Sequence, residues 1–490
     1  MKTFRLSKSA FIKGVQCPKA LYLKKYHPEL EDEVSEAQQA VFDMGHSIGH
    51  LAKQLFPGGV DLDKYVPDQI GFVFEQTREL VTQRQIIYEA GFSYDDNLCF
   101  SDILVPSGNK WKVYEVKGST SVKDVYLWDA AFQYYLITQS GLEVEDISII
   151  HINNQYVRHG EIDVQQLFTI ESVKERVMWM QEDVKNHLKG LKKMLAEGKM
   201  PNVEIGPHCF DPYPCSFMGH CWQHVPSYSV FNLTRMKADK KFELYRQGIL
   251  EVKEVPDDYY LSYSQQLQVD SEKSGKGVID RVTVREFMRG LSYPLAYLDF
   301  ETINPAIPLF DNSRPYQQIT FQYSLHWQQQ PGGELTHKEF LAETDGDPRI
   351  PFIEQLISDL KGSGDIVVYN KAFEETRLKE IARDFPEYAP AIEKILERIV
   401  DLMVIFSSKD YYTPEMKGSY SIKKVLPALV PGFGYDGLDI AEGGTASNAF
   451  ASLYKEKDPE RIAKVRTDLL AYCKMDTLAM VKIMEVLINV

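Results

Sequence analysis

The 490-residue chain reads as an α/β protein built from two α/β domains joined by a helical connector. Three observations predict this. Residues 97–105 and 111–117 are strand-like runs on either side of a Ser107-Gly108-Asn109 turn, the pattern of a hairpin. Residues 294–297 form a short apolar run of buried-strand character, and it delivers two carboxylates, Asp299 and Glu301. After that point strand patterns come first and then alternate with helical ones, as in a mixed sheet covered by helices.

Composition bounds the function. A chain of this length with 44% hydrophobic residues can bury two or more cores. It has no run of about 18 apolar residues, and its start, Met1-Lys-Thr-Phe-Arg, has no apolar signal region. A soluble, cytoplasmic protein without a membrane partner is expected. Six cysteines are too few and too clustered for a secreted disulfide scaffold, which favours metal binding or free thiols. A net charge of −15 argues against indiscriminate coating of nucleic acid. Basic patches remain at 19–25, 185–199, 235–241 and 417–424, where a solvated helix face explains them as well as a binding surface does.

Taken in order, residues 36–56 have helical periodicity, carry His46 and His50, and stop at Pro57-Gly58-Gly59. A second helix is expected over 70–90, ending near Gly91. In the hairpin, Val113, Glu115 and Lys117 share a strand face, and Asp102 on the neighbouring strand can meet Glu115 around one metal ion. Two carboxylates would hold the cation, while Lys117 would orient water and offset phosphate charge. Taken alone, Glu-x-Lys reads as a structural ion pair. With the helix 125–139 that follows, carrying Gln133, Tyr134 and Tyr135, the set becomes more specific. Over about residues 1–225 it resembles the PD-(D/E)XK nuclease superfamily, in particular RecB-like nucleases. The resemblance implies that fold, a catalytic set of Asp102, Glu115, Lys117 and Gln133 with metal on Asp102 and Glu115, and a histidine from an upstream helix, for which His46 and His50 are candidates.

Cys17 stands alone near the start, and Cys209, Cys215 and Cys221 follow together within 207–222. Four thiolates suit an iron–sulfur cluster or zinc. The arrangement resembles the iron–sulfur staple of RecB-like and CRISPR-adaptation nucleases, which implies a 4Fe-4S cluster on Cys17, Cys209, Cys215 and Cys221, with Zn2+ as the alternative. Closing so long a loop would remove unfolded-state entropy as a cross-link does. Cys99 and Cys473 read as packing residues. Residues 226–290 read as a charged, mostly helical spacer, and the Gly-Lys piece at 275–277 lacks phosphate-loop spacing.

The C-terminal domain, 291–490, opens with the strand that carries Asp299 and Glu301. Their alternation puts both on one face, where like charges repel unless a cation lies between them, and oxygen ligands suit Mg2+ or Mn2+. Strands are expected at 318–327 and 335–341, a helix at 351–361, and another strand at 365–369. A helical run to 383 follows, with Glu374 and Glu375 near its start. Tyr472 and Asp476 share a face of a late helix. This order of motifs resembles the tyrosine-bearing branch of the DEDD exonucleases over about residues 290–490. The resemblance implies an RNase H-like fold and 3′–5′ exonuclease activity with two metal ions on Asp299, Glu301, Glu374 and Asp476, Tyr472 orienting the water. Glu374 stands where that family has Asp, one methylene longer, with Glu375 the neighbouring substitute. The glycine-containing stretch 418–447 reads as a loop, either lining the groove or lying on the surface.

The expectation is a protein of two metal-dependent nucleases acting on nucleic acid, DNA before RNA because RecB-like sites mostly cut DNA. The joined pair resembles uncharacterised bacterial proteins that couple such domains. The rival expectations are an RNA-processing exonuclease whose N-terminal half only binds substrate, and a non-catalytic nucleic-acid-binding scaffold.

Overall fold

The computed structural model describes residues 4–66 and 68–490 and has a mixed α/β fold. The described residues up to His224, together with Ala306–Tyr316, form one unit; Val225–Pro305 with Gln317–Val490 form the other. Among the described residues, no helix is long and apolar enough to cross a membrane.

The first unit is organised by a seven-stranded sheet of β1 (Leu6–Ser7), β2 (Val60–Asp61), β3 (Ile87–Tyr94), β4 (Asn97–Ser107), β5 (Lys110–Lys117), β6 (Val144–Ile152) and β7 (Phe168–Ser172). The order is β2-β3-β4-β5-β6-β7, with β1 paired to β4. The hairpin of β4 and β5 closes through Gly108 at φ 54°, a conformation that costs glycine nothing. β5 and β6 run parallel, and the helix Asp124–Gln139 lies between them in sequence. Alternation along β5 sends Trp111 and Val113 into one core with Ala130, Phe132 and Leu136, and Tyr114 into the other with Ile48 and Ala52. Glu115 and Lys117 therefore face the side covered by the helix Asp124–Gln139. Phe11 stacks on Phe132 at 4.7 Å between ring centroids, which seats the helix Lys8–Gln16 over the same face.

The helix expected over 70–90 stops at Thr82, and residues 87–94 are strand β3. Two signals are disguised here. Arg84 takes φ 57° just beyond the helix end, where glycine is usual, and Asp95-Asp96 at φ 49° and 57° make the two-residue turn into β4, where Asn-Gly is usual.

The second unit holds a five-stranded sheet of β9 (Leu295–Ile303), β10 (Ile319–Gln328), β11 (Leu335–Leu341), β12 (Ile366–Val368) and β13 (Ile399–Asp401), ordered β11-β10-β9-β12-β13. β9, β10 and β11 are antiparallel neighbours, whereas β12 and β13 continue from β9 in parallel. Leu295 and Tyr297 of β9 pack toward Met480, Ile483 and Met484 of the helix Pro459–Leu487. Ala296, Leu298 and Phe300 pack on the opposite face with Phe352, Ile353 and Leu378.

Residues 226–290 are not a spacer apart from this unit. β8 (Val278–Ile279) pairs with β14 (Tyr411–Tyr412), and Val284 lies in the core with Met480. The buried Gln268 side chain donates to Asn232 O and accepts from Thr234 N. The stretch 418–447 is also more ordered than expected: it contains the helix Ile422–Leu429 and the first turn of the helix Gly443–Leu453.

Candidate metal centres

In the second unit the pleat of β9 turns Asp299 and Glu301 toward the helix Pro459–Leu487, whose buried face includes Leu469, Tyr472, Cys473, Asp476 and Met480. Oxygen atoms of Asp299 and Glu301 and the sulfur of Cys473 lie within 4.8 Å of one another. Cys473, expected to be a packing residue, is buried but also hydrogen-bonds to Asp299 Oδ2 at 3.8 Å. Burial, then Asp476, Glu301 and Glu374, hold the Asp299 carboxyl well above its usual range. Burial and the Asp476 charge do the same to Glu301. Asp476 is raised by burial to about 6, opposed by Tyr435 and Lys423. Burial is the largest cause at all three, and at Asp299 and Glu301 the charge of neighbouring acids adds to it.

Glu374 enters from the helix Lys371–Asp384, directly after β12. It is 2% exposed, and its Oε2 has no hydrogen-bond partner among the described residues. Burial lifts its carboxyl to about 8, with Asp401 adding to the rise. Asn370, at φ 100°, precedes this helix and donates its backbone N–H to Asp401 Oδ1. Glu375 points away: it pairs with Lys371 at 3.4 Å and Lys379 at 2.9 Å, so it does not stand in for Glu374.

Two groups that the sequence reading passed over complete the surroundings. Tyr435 donates its hydroxyl to Asp476 Oδ1 at 2.5 Å, and Lys423 donates to Tyr472 Oη at 3.2 Å and to Ala441 O at 2.6 Å. Both come from the stretch read as a loop; Lys423 figured there only as part of the basic patch 417–424, and neither it nor Tyr435 has a spacing that points to the acids.

In the first unit Glu115 is the hub. It accepts from Lys117 at 2.8 Å and Lys8 at 2.6 Å through Oε1, and from Gln133 at 2.5 Å through Oε2. Lys117 also pairs with Asp129. Although burial raises the Glu115 carboxyl, Lys117 and Lys8 outweigh it and hold it at about 2. Asp102 accepts the Val116 backbone N–H at 2.6 Å, and burial followed by Glu115 raises it to about 6. Beside it Glu89, at φ 57° in β3, is raised by burial and Asp102 to about 8.

Asp102, Glu115, Lys117 and Gln133 are thus brought together, joined by Lys8, Asp129 and Glu89. Asp129 was findable, four residues before Gln133 on the same helix face; Lys8 sits on an element that had no recognised pattern, and Glu89 in the stretch 70–90 read as helix where the chain forms β3. His46 and His50 are exposed on the helix Glu36–Ala52, and among the hydrogen bonds and ion pairs described above for Glu115, Lys117 and Asp102 neither takes part.

Cys17, Cys209, Cys215 and Cys221 line one pocket, walled by Ala20, Ile205, Phe217 and Met218. Burial raises the thiols of Cys17, Cys215 and Cys221. Cys17 caps the start of the helix Pro18–Tyr26, and Gln16 donates to His208 O and Tyr213 O, which ties the two distant segments together.

A family described as Domain of unknown function (DUF2779) matches residues 296–421, a stretch that includes Asp299, Glu301 and Glu374 but ends before Lys423, Tyr472 and Asp476. The chain is similar to three proteins from Mycoplasma and Ureaplasma species. The "Uncharacterized protein MG366 homolog" of Mycoplasma pneumoniae is 29% identical over 227 residues, 42% of this chain and 34% of that protein. The "Uncharacterized protein UU173" of Ureaplasma parvum is 29% identical over 251 residues, 46% of this chain and 36% of that protein. The "Uncharacterized protein MG366" of Mycoplasma genitalium is 30% identical over 208 residues, 38% of this chain and 31% of that protein. The chain therefore spans about a third of the length of the curated relatives it matches.

Proposed function

We propose that the protein is a metal-dependent nuclease with two sites: a DEDD-type 3′–5′ exonuclease of RNase H-like fold in the second unit, and a RecB-like PD-(D/E)XK site in the first. The observation that carries the reading is the convergence of Asp299, Glu301, Glu374, Asp476 and Tyr472 from β9 and two helices. The sheet order, with antiparallel strands first and parallel strands added beside β9, supports it.

An oxygen-rich donor set suits a hard divalent cation, and Mg2+ or Mn2+ would supply Lewis acidity toward phosphate and an activated water. Asp299, Glu301, Glu374 and Asp476 would hold it, and Tyr472 would position the attacking water by its hydroxyl. In the first unit Asp102 and Glu115 would hold the metal. Lys117 and Lys8, both on Glu115, offset charge that builds on a phosphate.

Four thiols gathered on one pocket, Cys17, Cys209, Cys215 and Cys221, suit a resident 4Fe-4S cluster, which they would hold as thiolates, with zinc as the alternative.

DNA is the first substrate to test. Single-stranded DNA, duplex DNA and RNA, labelled at either end and incubated with Mg2+ or Mn2+, should be degraded from the 3′ end in a reaction that Asp299→Ala removes. Tight binding with no metal-dependent turnover on any substrate would overturn the reading in favour of a scaffold.

A further inference from the structure

Lys423 has no assigned part in the proposed chemistry, yet its place is closely specified. It projects from the helix Ile422–Leu429, and its ammonium donates to Ala441 O at 2.6 Å and to Tyr472 Oη at 3.2 Å. The rings of Tyr472 and Tyr435 flank it, with centroids 5.1 and 5.4 Å from Nζ. The ammonium is thus held by one carbonyl and two aromatic rings, on the border of the acid cluster.

An ammonium has donors and no acceptor. In this contact Tyr472 Oη must accept, so one of its lone pairs is occupied and its own hydrogen is turned away from Lys423. Tyr472 lies one helical turn from Asp476 and contributes a hydrogen bond to that carboxyl. Tyr435 also donates to the Asp476 carboxylate, to Oδ1 at 2.5 Å. The chain of donors runs from Lys423 through Tyr472 to Asp476 and has one direction throughout. Gly443 borders the same group: a Cβ placed on it would stand 3.8 Å from both Tyr472 Oη and Glu301 Oε2.

We infer that Lys423 is a positioning residue of the second-unit site: its ammonium, anchored on Ala441 O, donates to Tyr472 Oη and fixes the direction in which the Tyr472 hydroxyl presents its hydrogen. This rests on the proposed exonuclease reading for its consequence in turnover, but not for the hydrogen bond itself. Outer partners that orient a reacting group typically contribute about 10- to 100-fold.

The test uses the full chain with Lys423→Met, Lys423→Arg, Tyr472→Phe and the double variant Lys423→Met/Tyr472→Phe, each checked for parental melting. On a 3′-labelled oligonucleotide with Mn2+, Lys423→Met should lower kcat by about 10- to 100-fold and leave KM and the Mn2+ requirement within about twofold. Lys423→Arg should restore most of the rate. In the Tyr472→Phe background the lysine change should cost nothing further, because the hydroxyl it orients is gone. An equal loss in both backgrounds, or a raised Mn2+ requirement, would overturn the inference, since Lys423 would then act on the carboxylates or the substrate instead. A second readout does not need activity. With tyrosine labelled at 13Cζ, the Tyr472 resonance, identified by its loss in Tyr472→Phe, should move in Lys423→Met and stay in Lys423→Arg. An unmoved resonance refutes the hydrogen bond. A moved resonance in a protein with no Asp299-dependent cleavage leaves the hydrogen bond standing and removes the nuclease reading.

Discussion

Glu374 shows most directly what a buried acid does to the molecule around it. Its folded value of about 8 lies above its ordinary 4.5, so between those values the unfolded chain has lost a proton that the folded chain keeps. Stability of the metal-free protein must then fall as pH rises through that window and level off above it. Asp102 and Asp476, at about 6, and Glu89, at about 8, act in the same direction. Glu115, held at about 2, acts in the opposite sense, and its contribution is lost only on acidification below 4.5. Melting in chelator should drop between about pH 5 and about pH 8, and Mn2+ should restore most at the upper end. A flat profile would contradict the buried-acid account. Glu374→Gln removes the ionisable group, so it should raise metal-free melting near pH 8 while weakening the response to Mn2+. Glu374→Asp shortens the reach by one methylene; loss of turnover would mean that the longer side chain is needed where this helix lies.

At the scale of elements, the legible parts were those whose chemistry and periodicity agree. β4 and β5 announced themselves as strand runs about a glycine turn and β9 as a short apolar run, so the two-residue period of a strand put Glu115 with Lys117, and Asp299 with Glu301, on shared faces. The helix Pro459–Leu487 gave Tyr472 and Asp476 through four-residue spacing. What stayed hidden had atypical residues at its boundaries: Arg84 at the end of one helix, and Asp95-Asp96 in the turn that makes β3 a strand. Lys423 and Tyr435 were hidden for another reason, since their meaning comes from long-range packing that places them beside Asp476. Gly418 is part of that packing. It takes φ 76°, and a Cβ there would lie 2.2 Å from Gln268 Nε2 and 2.6 Å from Asn232 O. Gly418→Ala should therefore destabilise the second unit by about 1–3 kcal/mol, read as a lower urea midpoint, with a fall in turnover because Lys423 lies just beyond. The cysteine pocket is the corresponding test in the first unit. Anaerobically prepared protein should be brown and contain iron, and Cys→Ser at Cys17, Cys209, Cys215 or Cys221 should lower its melting temperature, a cross-link over so long a loop being worth on the order of 4 kcal/mol. Colourless protein with stoichiometric zinc would replace the cluster with a metal staple.

For the whole molecule, the two sets of site residues lie in different folding units, each with its own core. Lys117→Ala should remove one activity and Asp299→Ala another, with the double change removing both; cleavage products mapped from each labelled end would separate them. If Asp299→Ala silences every reaction in a folded protein, the first unit is not an independent nuclease. The units are nevertheless not consecutive beads. Ala306–Tyr316, the connection between β9 and β10, belongs to the first unit. Arg158 donates to Pro308 O and Leu309 O, Gly160 N to Asp311 Oδ1, and Tyr316 to Gly118 O, one residue beyond Lys117. A gene fragment ending at His224 would accordingly encode a subdomain with a missing piece, and a synthetic peptide of residues 306–316 supplied in trans should bind it and raise its melting temperature, as in split-protein complementation.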